Sequence, residues 1–570
     1  MAEGSFFVSG KVQPVDLDFG VTDEIMFYQG GMVVKKRGLL GIIRFLEVLV
    51  CCAVLVMLAV PAWSAQPKAT APQNKAVSAP QPKVTPHYGG VLRITHALDA
   101  DDLGDPVARP MSSTGVRVAY TAVETLFRYD QKGMPVPWLA SGVKVAKDLS
   151  SITLTLRKGI KFHDGTDFNA EAVKWNLDRY RTSNNPELKS VESVEVIDSS
   201  TVKLNLSKWT STLLDNFTMH AGMMISPTAF QKNGADWAKT HPVGTGPFKF
   251  VSWQRDTNVK FEKFAGYWQK GKPYLDGVEW TFITDMVSRT MAFRKGEMNV
   301  LLIVEPPDVK DLEKEGKYYF STGGLSGLNI CVAGDSGHAD SPYADIRVRR
   351  AIEYAIDKKA LVDSLILGYG KVCNQYAYPG TWGVNPAVKG YPYDPAKAKK
   401  LLAEAGYPNG FKTTLYAPTW GNYVYPPPAI QQYLAKVGIT VEIEPVNQGR
   451  HQQLLRGGWK GLMIQQSPMI LPDATNNLAV NASCKSYLKD SIMCADDYEA
   501  TLAKAVSAPN FETKKKLTWE AQKLFIDKYA LFQFFYTQPR MNAFYKNVHD
   551  TGIGITIDTQ WTPEDAWIDK

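Results

Sequence analysis

"LRKGIKFHDGTDFNAEAVKWN", Leu156 to Asn176, places His163, Asp164 and Asp167 around Gly159 and Gly165. Either this is the start of a catalytic or metal site, or it is a turn between folded elements. Upstream, Ile152, Leu154 and Leu156 alternate with Thr153 and Thr155, the period of a half-buried strand. Lys158-Gly159 turns the chain, and Ile160-Lys161-Phe162 reads as a short second strand. His163-Asp164-Gly165-Thr166 is a second turn, with Gly165 free to take positive φ. Asn169 caps a helix whose first turn holds Glu171, and Val173, Leu177 and Tyr180 repeat at i, i+4 and i+7. The His and Asp therefore punctuate strand from helix, with no third partner at triad or metal spacing.

The same alternation of periods continues along the chain. Phe248–Trp253 and Asn258–Lys263 flank Gln254-Arg255-Asp256-Thr257 as a hairpin, and Val278, Trp280 and Phe282 mark a strand. Val348, Ala351, Ile352, Ala355 and Ile356 trace one apolar helix face. Asp394-Pro395 starts a helix that Gly406 ends, and Ile439, Val441 and Ile443 form a strand before another helix. The fold class is α/β.

At 570 residues the chain has room for two or more domains. Its 45% apolar and 21% charged residues are those of a folded soluble protein. The net charge of +7 is small for this length, and no Lys/Arg block follows Arg37, so nucleic acid is not the expected partner. Lys35, Lys36 and Arg37, the apolar run Val48–Val60 and then Ala62-Trp63-Ser64 have the order of a secretory signal. Arg44 and Glu47 interrupt the run upstream and shorten it below a membrane span. The expectation is a signal peptide at 32–64 starting from Met32, a non-native extension at 1–31 and a disordered Pro/Ala/Gln/Lys linker at 65–87. A retained N-terminal tether is the alternative, and either way the localisation is periplasmic.

Six cysteines are present, two of them, Cys51 and Cys52, in the signal segment. An even remainder in an exported chain favours disulfides: Cys484–Cys494 across a short loop and Cys331–Cys373 as the other pair, with free buried thiols as the alternative. No C-x-x-C occurs among them, the eight histidines form no H-x-H or H-x3-H pair, and His451 stands among amides. No metal and no cofactor is expected. "GDSGHADSP" (334–342) carries the Gly-Asp-Ser-Gly of trypsin-like proteases, but His338 stands where their oxyanion loop needs glycine, and the surroundings are not a β-barrel. It reads as a surface loop.

Six blocks in order resemble the extracellular solute-binding proteins of family 5, which deliver peptides, nickel and related solutes to ABC importers. They are "YGGVLRITHALDADDLGDP" (88–106), "YTAVETLFRYDQKGMPVPWLASGVKV", "LTLRKGIKFHDGTDFNAEAVKWNLDRY", "HPVGTGPFKFVSWQRDTNVKFEKFAGYWQKGKPYLDGVEWTFI", "DIRVRRAIEYAIDKKALVDSLILGYG" and "YPYDPAKAKKLLAEAGY". The resemblance implies a hinged two-lobed periplasmic-binding-protein fold with mixed sheets. Lobe I would be 88–325 with an inserted subdomain at 126–244, lobe II 326–520, and 521–570 would return to lobe I. It implies a monomer that clamps a solute between lobes and passes it to membrane permease subunits, with no catalysis.

Dipeptide binders of that family hold the ligand's amine with an Asp after a Gly-x-apolar strand. In "GLMIQQSPMILPDATNN" (461–477) Gln465, Gln466 and Ser467 stand there instead, and "APTWGNYVYPPP" lacks the Arg some relatives use for a carboxylate. Burying an unpaired ammonium or carboxylate costs several kcal/mol. The expected ligand is thus neutral and polar, or aromatic, rather than a free dipeptide; an oligopeptide and, further off, a secreted hydrolase or a sensing or chaperone-like module are the alternatives. Ligand-binding candidates are Tyr378, Trp382, Trp420, Asn422, Tyr423, Gln465 and Gln466 on the second lobe, Asn329 at the crossover, and Leu98-Asp99 and Tyr120 on the first.

Overall fold

In the computed structural model the described residues are two short strands near the N-terminus and residues 85–569, apart from 108–110, 323, 326, 467–471, 487–489 and 558. Ile25–Tyr28 pairs antiparallel with Gly31–Val34. The other expectations for the N-terminal extension, the signal peptide and all but the last three linker residues fall outside the described residues.

Residues Ser151–Leu156 form a strand and Ala170–Thr182 a helix. The expected strand between them is a single bridge, Lys161 to Asp167, because the second turn closes at once: Gly165 N–H donates to Phe162 O at 2.9 Å with φ 83°. Asn169 caps the helix by accepting from Ala172 N, and Val173, Leu177 and Tyr180 are buried. His163 Nε2 lies 2.9 Å from Gly246 O, and its ring packs edge-on against Phe264. Burial lowers the His163 pKa to about 4, so the ring is neutral. Asp164 accepts from Ser226 Oγ at 2.5 Å and Thr166 Oγ1 at 2.6 Å. Both groups fasten the turn to a neighbouring segment.

The strand just described belongs to a four-stranded antiparallel sheet, ordered 140–145, 151–156, 201–206, 191–198. A mixed seven-stranded sheet runs 248–254, 258–263, 277–282, 91–96, 300–304, 541–545, 318–321. A mixed six-stranded sheet runs 371–372, 533–539, 327–334, 462–466, 412–418, 440–446. Each has its own apolar core, the four-stranded sheet around Ile152, Leu154 and Leu204, the seven-stranded around Trp280 and Trp561, and the six-stranded around Ile330, Leu415 and Ile464. The chain passes between the two large sheets twice: from Tyr318–Ser321 to Gly327–Gly334, and from Gln533–Pro539 through Arg540 to Met541–Tyr545. Strand 533–539 is central in the six-stranded sheet, so the chain rejoins the seven-stranded sheet at 541 and not at 521. Its all-buried run Gln533–Gln538 needs neighbours on both edges and both faces, which a central position provides.

Cys484 and Cys494 are joined, whereas Cys331 and Cys373, expected as the second pair, are free buried thiols. Cys331 lies opposite Phe534, and Cys373 N donates to Phe535 O on the other edge of that strand. One strand separates the two cysteines, roughly 10 Å between backbones, beyond the Cα separation of about 4.4–6.8 Å that a disulfide spans. Cys373 Sγ donates to Gln375 O at 2.9 Å instead.

Candidate functional site

Strands 412–418, 440–446 and 462–466 are mutually parallel. Their carboxyl ends lie where strand 327–334 begins and strand 533–539 finishes, since Ile330 faces Gln466 and Gly327 faces Pro539. In the seven-stranded sheet, 91–96, 277–282 and 300–304 are also parallel, and Val304 pairs with Met541 at the second crossover. Both crossovers thus join carboxyl-end edges, and the loops leaving those edges are the expected place for a ligand.

On the second sheet this edge carries the aromatic and amide residues picked out above. Trp420 follows strand 412–418, half-buried, with its ring edge-on to His451 at 5.4 Å between centroids. His451 is fully buried, its Nε2 is 3.3 Å from Ile464 O, and burial lowers its pKa. It is a neutral packing partner. Among the described residues, the one grouping of three metal-ligand types is Cys484, Cys494 and Glu499, and its two sulfurs are bonded to each other.

Tyr423 is 3% exposed, burial raises its pKa, and its hydroxyl has no hydrogen-bond partner among the described residues. Gln465, at the end of its strand, is 3% exposed, and its Nε2 is likewise unpartnered. Buried polar atoms without partners are rare and costly, about 1–3 kcal/mol each. Tyr423 and Gln465 both belong to segments at the carboxyl-end edge of this sheet. Tyr378 is buried, and Trp382 packs edge-on against Phe511 at 5.2 Å. The side chains of Asn422 and Gln466 lie outside the described set.

Three candidates are engaged elsewhere. Asp99 accepts from Trp253 Nε1 at 3.0 Å, Asp256 N at 2.9 Å and Ala100 N at 2.7 Å, so its carboxylate fastens the 248–263 hairpin. Tyr120 has no exposed surface and donates to Thr218 O at 2.5 Å. Asn329 donates to Tyr376 O and Gln375 O and accepts from Thr537 Oγ1 at 2.6 Å. Among these three only Asn329 stands at the crossover edge, and its amide ties strands together.

Sequence reasoning missed two charged groups. Glu305 directly follows strand 300–304 and Arg540 directly precedes strand 541–545, which places them side by side at the second crossover. Burial and then Asp308 push the Glu305 carboxyl up to about 7, against Arg289 and Arg540. The sequence signal was there, a charge immediately beyond each apolar strand end. The second group joins Tyr129, Asp215, Asp473 and Lys514. Lys514 Nζ is 2.6 Å from Asp473 Oδ2 and 3.4 Å from Asp215 Oδ2, and Tyr129 OH donates to Asp215 at 3.1 Å. Nothing in the spacing of residues 129, 215, 473 and 514 predicts that meeting. Two surface depressions of about 440 and 420 Å³, one on helix Ala170–Thr182 and one around Lys358 and Tyr391, include no residue of the strand-end edges.

The profile of the bacterial extracellular solute-binding proteins, family 5, matches residues 134–487. The glutathione-binding protein GsiB of Pectobacterium atrosepticum is 33% identical over 374 residues, 63% of this chain and 69% of that protein. Among solved structures, NikA of Brucella suis in complex with Fe(III)-EDTA superposes with a TM-score of 0.75 at 22% identity, over 84% of this chain and all of that one. The binding protein AgaA of A.tumefacien R10, in complex with agropinic acid, gives 0.69 at 26% identity over 84% and 99%.

Proposed function

We propose that this chain, which belongs to the bacterial extracellular solute-binding proteins of family 5, captures a polar organic solute between the carboxyl-end edges of its two large sheets. As a substrate-binding protein of an ABC importer it hands that solute to permease subunits in the membrane. The observation that carries the solute reading is the pair of buried polar atoms without partners among the described residues, Tyr423 OH and Gln465 Nε2, in segments at the same sheet edge as Trp420. Amide, phenol and indole suit a ligand held by hydrogen bonds and stacking. The lobes close on the solute, release it unchanged, and act as a monomer in the periplasm after export by the N-terminal segment; nucleic acid has no part in it.

A second reading narrows the ligand to a glutathione-like amino-acid conjugate. Glu305 and Arg540 at the crossover favour it, because they place a carboxyl and a guanidinium together on the hinge side, the two group types that meet a zwitterion's ammonium and carboxylate, where the family's usual anchors are lacking. The 33% identical relative is named for binding glutathione. A thermal-shift screen with glutathione, an opine acid, a neutral aromatic glycoside and a free dipeptide tests both readings, since binding to the folded state raises the midpoint by mass action. A shift with glutathione alone selects the second, and a shift with the glycoside alone selects the neutral solute. A largest shift with the free dipeptide refutes both.

A further inference from the structure

The insert meets the second lobe along one seam far from the crossovers in sequence. Trp209 Nε1 donates to Ala508 O at 2.7 Å, Ser211 N to Val506 O at 2.7 Å, and Ser211 Oγ to Ala505 O at 2.9 Å. At its inner end Lys514 Nζ reaches Ser211 O at 2.9 Å, Asp473 Oδ2 at 2.6 Å and Asp215 Oδ2 at 3.4 Å. Lys514, Asp215, Asp473 and Tyr129 are each at most 5% exposed. Asp473 also accepts from Thr475 N and Asn476 N, so it is held by its own helix. Tyr129 and Asp215 come from the insert, Asp473 and Lys514 from the second lobe.

The charges make this seam more than packing. With the halves apart, Lys514 and Asp473 remain a neutral pair on one side, and Asp215 is a solvated carboxylate on the other. Closing brings a second carboxylate onto that pair in a buried site, leaving one uncompensated negative charge. Such a charge is unfavourable by several kcal/mol unless the carboxylate takes a proton. The groups facing Asp215 are the Tyr129 hydroxyl, the Lys514 ammonium and the Asp473 carboxylate; the ammonium and, more weakly, the hydroxyl that donates to Asp215 oppose protonation, while Asp473 and burial favour it. Asp215 and Asp473 stand close enough to share a hydrogen bond, which a protonated Asp215 can donate. Burial, with Asp473 adding and Lys514 opposing, pushes the Asp215 carboxyl up to about 7.

We propose that Tyr129, Asp215, Asp473 and Lys514 form a latch that holds the insert against the second lobe in the closed form, and that the latch closes with uptake of one proton by Asp215. It touches no solute and sets affinity through the open–closed balance, and it rests on the reading that the two halves close over a solute. The closed form binds its proton more tightly than the open form. Closure is therefore favoured at low pH and weakens as pH rises from about 4 to about 7. One linked proton limits the change to about tenfold per pH unit. Above about 7 the effect is complete.

Small-angle scattering of the solute-free chain at pH 5 and pH 8 reads closure directly. The wild type is expected to expand between the two, while Asp215→Asn, which mimics the protonated acid, stays compact at both. Asp473→Asn, which keeps a helix-capping side chain, leaves one carboxylate per ammonium and also removes the pH response. Titration with glutathione is then expected to show wild-type affinity falling at least tenfold from pH 5 to pH 7, and the ratio to Asp215→Asn removes the solute's own ionisation. A wild type whose dimensions do not change with pH overturns the latch, as does either variant keeping the wild-type pH response. Glutathione binding to no form refutes the glutathione reading instead, because the scattering contains no solute.

Discussion

Tyr423→Phe separates a solute-facing hydroxyl from a structural one by the sign of its effect on stability. The hydroxyl is buried and unpartnered among the described residues, so removing it relieves a desolvation penalty of about 1–3 kcal/mol. The ring stays, so the apolar contacts around Ile430 and Leu434 in the same core are kept. With an unfolding entropy of about 2 cal/mol/K per residue, a body of this size moves its midpoint by roughly 1 °C per kcal/mol. The solute-free variant is therefore expected to melt about 1–3 °C higher than the wild type. If the hydroxyl bonds the solute, its loss weakens binding by about 0.5–1.5 kcal/mol, or roughly 2- to 12-fold in Kd. Differential scanning calorimetry without solute and isothermal titration with glutathione measure the two effects separately. A midpoint several degrees lower would show that the hydroxyl has a partner within the fold. A raised midpoint with unchanged affinity would show that it meets no solute.

Glu305→Gln is expected to flatten part of the pH dependence of solute-free stability. The folded form raises this carboxyl, so its contribution is full below about 4.5 and is lost as pH rises towards about 7; melting from pH 4 to pH 8 should show a smaller decline in the variant, and parallel curves would refute the assignment. Glu124 accepts from Trp138 Nε1, Trp268 Nε1, Tyr267 OH and Thr245 Oγ1, so Glu124→Ala strands four donors, two buried and two half-buried, and the facing Arg128. A loss above about 4 kcal/mol in denaturant is expected, and a loss under about 1 would show that this cage is dispensable. Burial raises the thiols of Cys331 and Cys373, so iodoacetamide should modify neither in the native protein and both after unfolding; rapid native labelling read by mass spectrometry would contradict their placement.

What was legible in the sequence was local. Alternation at 151–156 and 278–282, caps at Asn169 and Asp394, and the hairpin 248–263 each rest on neighbours a few residues apart, and each formed as read. The positions of Trp420, Tyr423 and Gln465 at the sheet's edge were also legible, because residues at or shortly after the carboxyl end of a strand fall there whatever the rest of the chain does. At Asp99 the position after a strand was visible, but not the indole of Trp253 that donates to its oxygens from 154 residues away.

By itself, then, the sequence determined the order of strands and helices, the α/β class and which residues stand at strand ends, since these follow from periodicity and capping over a few residues. Only the tertiary structure decided partnership. It interposed a strand between Cys331 and Cys373, set Glu305 beside Arg540, and brought Asp215 to Lys514 across 299 residues. Whether a buried charge is neutralised, and whether a polar atom is left for a solute, depends on which distant side chains arrive within about 3 Å, and sheet order fixes that where sequence spacing does not.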